Sequence, residues 1–134
     1  MIRRFFSFAT LISVVFISCS KDSGGSTPAD IAAVIDLTAP APLTVFLNGS
    51  TVSVDGTVVD NNVLSTVSVS IKNKNTNAVL FSSTSSTGAN TFYRYHWAWT
   101  VTGVTGPTPA SLTITSKDKY NYESTKSIDI NLDN

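Results

Sequence analysis

Cysteine and histidine each occur once in the 134 residues, and charged side chains make up only 13% of them. A single cysteine excludes a disulfide within the chain, and His96 has no second histidine with which to build a zinc site. Ser-His-Asp chemistry would have to pass through the same His96, and no nucleophile-elbow sequence accompanies it, so no catalytic activity is expected. Nine basic side chains meet nine acidic ones, which leaves no basic surplus to recruit nucleic acid. Apolar residues nowhere recur at helical spacing, so helical and α/β architectures are not expected. The one long apolar run, residues 5–17, is too short to span a bilayer comfortably.

That run has a context. In "MIRRFFSFATLISVVFISCS", Arg3 and Arg4 precede the apolar stretch and Ser18-Cys19 ends it, the layout of a secretory signal. The lone cysteine sits where a signal peptidase would cut. The arrangement resembles a bacterial lipoprotein signal, with Ile17 and Ser18 fitting the pattern and Phe16 standing where Leu is usual. The resemblance implies that residues 1–18 are removed and that Cys19 becomes a lipidated N-terminus carrying acyl chains such as palmitate. Ser20 follows the cysteine where an Asp would mark inner-membrane retention, which points to the outer membrane. "CSKDSGG" is also similar to the start of Bacteroidota lipoproteins, in which acidic residues after the cysteine direct export to the cell surface; here only Asp22 supplies one. The periplasmic and surface faces both stay open. "SKDSGGSTPAD" has too little apolar area to order itself, so residues 19–35 read as a lipid peg on a flexible tether.

The remaining residues, 36–134, suit one domain. After residue 18 there are seven basic and nine acidic side chains, a formal net of −2. Runs of Val, Ile, Thr and Ser alternate between turn residues, the pattern of an all-β domain. Seven strands are predicted, near residues 43–47, 51–59, 64–72, 78–83, 91–101, 110–117 and 125–131. Asn48-Gly49, "DNN" at 60–62, "NKNTN" at 73–77 and the prolines of "GVTGPTP" at 103–109 supply the breaks. Such short, evenly spaced strands predict a two-sheet sandwich.

Several motifs resemble bacterial immunoglobulin-like modules: "DLTAPAPLTVFLNGSTVSVDGTVVDNNVLSTVSVSI" looks like their opening, "TFYRYHWAWTV" like their aromatic strand, and "LTITSKDKYNYESTKSIDINL" like their closing pair. Tyr120 stands where the family has Gly in the last turn. The resemblance implies an immunoglobulin-like sandwich, a fold that hosts spacers, adhesins and binding modules alike.

Two functional readings of different class follow. Tyr93, Tyr95, Trp97 and Trp99 recur at every second position of one predicted strand and therefore share a face. The other strands offer mainly Val, Ile and Leu, so Tyr95 and Trp97 are expected to fill the gap between sheets while Arg94 and His96 point to water. The chain is then a spacer, or a module that contacts another envelope protein. If the strand lay at an edge with its rings open, the four aromatics would instead form a platform for a glycan. A further candidate is a calcium site from Asp36, Asp60, Asn61 and Asp118, because strands alternating up and down bring these loop residues to one end; Lys117 and Lys119 oppose it.

Overall fold

The computed structural model describes residues 31–134, so the signal, Cys19 and most of the expected tether lie outside the described residues. Eight strands form: β1 (Val34–Ala39), β2 (Val45–Leu47), β3 (Thr51–Val59), β4 (Leu64–Asn73), β5 (Val79–Ser86), β6 (Phe92–Thr100), β7 (Thr108–Asp118) and β8 (Glu123–Asp133). They make a three-stranded sheet in the order β1-β3-β6 and a five-stranded sheet in the order β2-β8-β7-β4-β5. The ladders are antiparallel apart from β2 on β8. This is the strand order of an immunoglobulin-type sandwich whose first strand is divided between the two sheets.

The division explains the eighth strand. β1 follows β3 as far as Leu37, bulges at Thr38 and reaches Ala39 before the chain passes Pro40 and re-pairs as β2 on β8. Seven strands were expected because "VIDLTA" reads as the end of a tether. It is an edge strand in which Ile35, Leu37 and Ala39 are only half-buried, so its alternation is faint until its partner is known. The sandwich therefore begins at Val34 and not at residue 36.

β7 also starts earlier than expected, at Thr108, and contains Pro109. A proline removes a ladder donor. The Pro109 carbonyl accepts from Lys74 N–H at 2.9 Å, so its donorless nitrogen shares that side, where the β4 ladder has already ended at Asn73↔Ala110. No β7–β8 hydrogen bond is lost. The turns divide similarly into expected and unexpected chemistry. Gly49 and Asn77 take the left-handed backbone with φ of +86° and +59°. At residues 60–62, where a break was expected, Asp60 Oδ1 accepts the Asn62 N–H at 2.8 Å. In the last turn Asn121, next to Tyr120, carries the positive φ, +69°.

Inward positions of the central strands build the core: Val52, Val54 and Val58 on β3, Val67, Val69 and Ile71 on β4, Leu112 and Ile114 on β7, Ile130 and Leu132 on β8. Gly56 interrupts the β3 row for a reason other than flexibility. A Cβ there would collide with the Asp36 carbonyl oxygen and the Tyr95 hydroxyl, so the bare backbone is what lets the Tyr95 ring lie across β3. Gly56→Ala is expected to lower stability by about 1–3 kcal/mol or more, by forcing Tyr95 off β1. A denaturation midpoint equal to the parent's would contradict this account of the glycine.

Candidate functional site

β6 is one edge of the three-stranded sheet, and its alternation sorts nine side chains onto two faces. On the inner face Tyr95 and Trp97 are buried, 1% and 9% exposed, whereas Tyr93 and Trp99 are half-buried. The Tyr95 and Trp97 rings stack with centroids 5.2 Å apart. Trp99 stacks on Phe81 of β5 at 5.9 Å, a contact that joins the open edge of one sheet to that of the other. The Tyr95 hydroxyl donates to the Asp36 carbonyl at 2.7 Å. Burial first, then the carboxylates of Asp36 and Asp55, raise the Tyr95 hydroxyl well above its ordinary value of 10.0, so it stays a donor. The four rings are thus not an open platform: its two central members belong to the core.

The outer face of the same strand is where solvent meets chemistry. Asp55 of β3 and His96 of β6 are cross-strand partners, and their Oδ1 and Nδ1 lie 2.6 Å apart. Thr57 faces Arg94 one step along the ladder, and Phe92 follows with 54% of its surface exposed. Thr38, Asp55, Gly56, Thr57, Phe92 and Arg94 border a shallow cleft of about 410 Å³ beside the β1 bulge. Sequence reading placed Arg94 and His96 in solvent but missed Asp55 as a partner. The signal was present, since pairing β3 with β6 about the Val59↔Phe92 end fixes every later pair.

The residues of the candidate calcium set sit in different surroundings. Asp36 lies inside β1, paired with Thr57, and not in a loop. Asp60 caps its own turn, and the Asn61 amide meets the Ile31 backbone. Asp118 is 1% exposed; its Oδ1 accepts the N–H groups of Tyr120 and Tyr122 at 2.8 and 2.9 Å, and its Oδ2 is buried without a hydrogen-bond partner. Among the described residues, no group of three or more His, Cys, Asp or Glu side chains converges so as to hold a metal ion. Cys19 lies outside the described residues.

The chain matches no protein-family model and no curated protein. Among solved structures it is similar to the fibronectin(III)-like modules of CbhA from Clostridium thermocellum, with 17% identity and a TM-score of 0.47 over 77% of this chain and 46% of that one. It is similar to Spo0M, a sporulation control protein from Bacillus subtilis, with 9% identity and a TM-score of 0.48 over 77% of this chain and 49% of that one. A Niemann-Pick type C2 protein from the Japanese carpenter ant gives 7% identity and 0.47 over 77% of this chain and 90% of that one. The chain spans less than half the length of the first two.

The two faces of β6 predict opposite mutational behaviour. Trp97→Ala removes a buried ring and leaves a cavity, an expected loss of about 3–5 kcal/mol by chemical denaturation. His96→Ala breaks a solvent-exposed pair and should cost less than about 1 kcal/mol. Equal midpoints for the two variants would contradict the assignment of faces.

Tyr95→Phe deletes the donor to Asp36, an expected loss of about 0.5–1.5 kcal/mol. Because the folded hydroxyl titrates above its unfolded value of 10.0, its stabilisation is full below pH 10 and declines as the pH rises beyond it. The parent should therefore lose stability above pH 10 more steeply than the Phe variant. Parallel curves of stability against pH would remove Tyr95 as the cause.

Proposed function

We propose that the chain is a lipid-anchored module of the bacterial cell envelope, seated in the outer membrane, that acts by spacing or protein contact and not by catalysis. The observation that carries this reading is the position of Cys19, the only cysteine, at the end of a basic-then-apolar leader, with the fourteen residues 20–33 between it and the first strand of a self-contained sandwich. The sandwich supports it in two ways. Its core is closed mainly by Val, Ile, Leu and two rings, the packing of a self-contained module. Its polar outer face offers a cross-strand Asp-His pair and a shallow cleft, a surface suited to contact with another macromolecule.

Cys19→Ala tests the anchor. The variant is expected to leave the detergent-extractable membrane fraction, lose labelling by radioactive palmitate and keep the unfolding midpoint of the parent sandwich. Unchanged detergent partitioning would overturn the lipoprotein reading.

A further inference from the structure

The apolar residues that the sandwich leaves in solvent are unevenly placed. Ten large apolar or aromatic side chains are exposed among the described residues, and six of them, Ile31, Val34, Val59, Phe92, Tyr120 and Tyr122, lie at one end. Hydrogen bonds define that end. Asp60 N–H donates to the Thr91 carbonyl at 2.9 Å, Leu64 N–H to Asn90 at 2.8 Å and Lys119 N–H to Val63 at 2.9 Å, which ties the three loops after β3, β5 and β7 into one surface. The Asn61 amide adds the Ile31 backbone to it. The chain therefore enters the sandwich at its most apolar end.

We infer that this end is a membrane-seating surface, which rests against the headgroup boundary of the bilayer that holds the Cys19 lipid. The inference rests on the lipid-anchor reading, and four observations converge on it. The first is attachment: the chain enters the sandwich at the apolar end, and covalent geometry lets the eleven residues 20–30 span at most about 40 Å, so this end is the one tied most directly to the bilayer. Second, Val34, Val59 and Phe92 are direct cross-strand partners, so they form one row across all three strands of a sheet, 67%, 48% and 54% exposed. A soluble domain gains nothing from such a row.

Third, on the other sheet the β7–β8 turn presents Tyr120 and Tyr122, 53% and 58% exposed, with the Lys119 ammonium 4.8 Å from the centroid of the Tyr120 ring. Tyrosine rings with a lysine above them suit the boundary where one side is apolar and the other carries phosphates. Fourth, acids at this end are opposed by lysines. Glu123 pairs with Lys117 at 2.8 Å and Lys119 stands in the same turn, so two lysines offset most of the negative charge of Asp60, Asp118 and Glu123 toward an anionic surface.

The test separates the seat from the anchor. A chain starting at Cys19, which contains the whole sandwich, is coupled through its thiol to a maleimide-headgroup lipid in vesicles of phosphatidylethanolamine and phosphatidylglycerol at about three to one. Aqueous hydroxyl-radical labelling is then compared with that of the same chain, thiol-capped, free in solution. Labelling of Phe92, Tyr120 and Tyr122 is expected to fall at least about threefold on vesicles, while Leu47 and Val79 at the opposite end stay unchanged. A triple variant, Phe92→Ser/Tyr120→Ser/Tyr122→Ser, with the parent's unfolding midpoint should show no protection of Val34 and Val59. Equal labelling at both ends in the coupled parent, or protection that survives in the triple variant, would overturn the seat. Because coupling is chemical, that result is independent of whether cells lipidate Cys19, which fractionation of Cys19→Ala decides.

Discussion

One hydroxyl group ties the smaller sheet together from within. β1 and β6 are the two edges of that sheet, and each pairs with β3 and not with the other. The Tyr95 ring crosses the β3 backbone above Gly56, and its hydroxyl reaches the Asp36 carbonyl on β1 at 2.7 Å, so one side chain spans all three strands. Everything around it conforms. Val54 and Val58 flank the glycine, Trp97 stacks on the tyrosine, and Trp99 continues the row to Phe81 of the facing sheet. A hydroxyl buried this way must find a partner, and an edge-strand carbonyl facing inward must find a donor; each meets the other's need.

That arrangement decides which surfaces remain for function. Aromatic area is spent on closing the gap between sheets about 10 Å apart, which Val, Ile and Leu fill less completely. Beyond Phe92 at its first residue, what β6 offers outward is mainly polar, with an exposed imidazole against a carboxylate that is one-third exposed. Pairs of that kind contribute little to stability in water and more to the choice of partner. The large apolar residues left over fall mainly at the tether end, so the molecule has a polar flank and a greasy foot.

Much of this was legible in the sequence, and the parts that were not share a cause. Strict alternation with β-branched residues places β3, β4, β6 and β8 within a residue or two, and the scarcity of other large side chains places Tyr95 and Trp97 inside. Sequence alone did not reveal β1, because a short edge strand buries one face only partly and its Asp36 reads as a loop residue. Pro109 read as a break, since a ladder can be missing on one side of a strand and intact on the other, which only pairing shows. Asp118 read as a loop ligand, whereas its carboxylate turns inward to hold the N–H groups of Tyr120 and Tyr122. In each case the residue type was informative about its chemistry and silent about direction. Direction depends on partners far away in the chain.

The same up-and-down course that gathers apolar residues at one end also gives the molecule a length. β7 and β8 run eleven residues each along the long axis, about 35 Å at the ordinary rise of a strand. The far end, where β2 finishes on Asp133 and β5 begins at Val79, is therefore held at roughly that height above whatever supports the tether end. A sandwich is stiff over this distance because its hydrogen bonds run across the axis and its core is packed along it. Under the proposed anchor, covalent reach alone would set only an upper limit on that height. Seating the sandwich by its apolar end converts that limit into a defined standing geometry. On that proposal the polar flank with Asp55, Arg94 and His96 faces sideways along the membrane, the direction from which a second macromolecule could reach it.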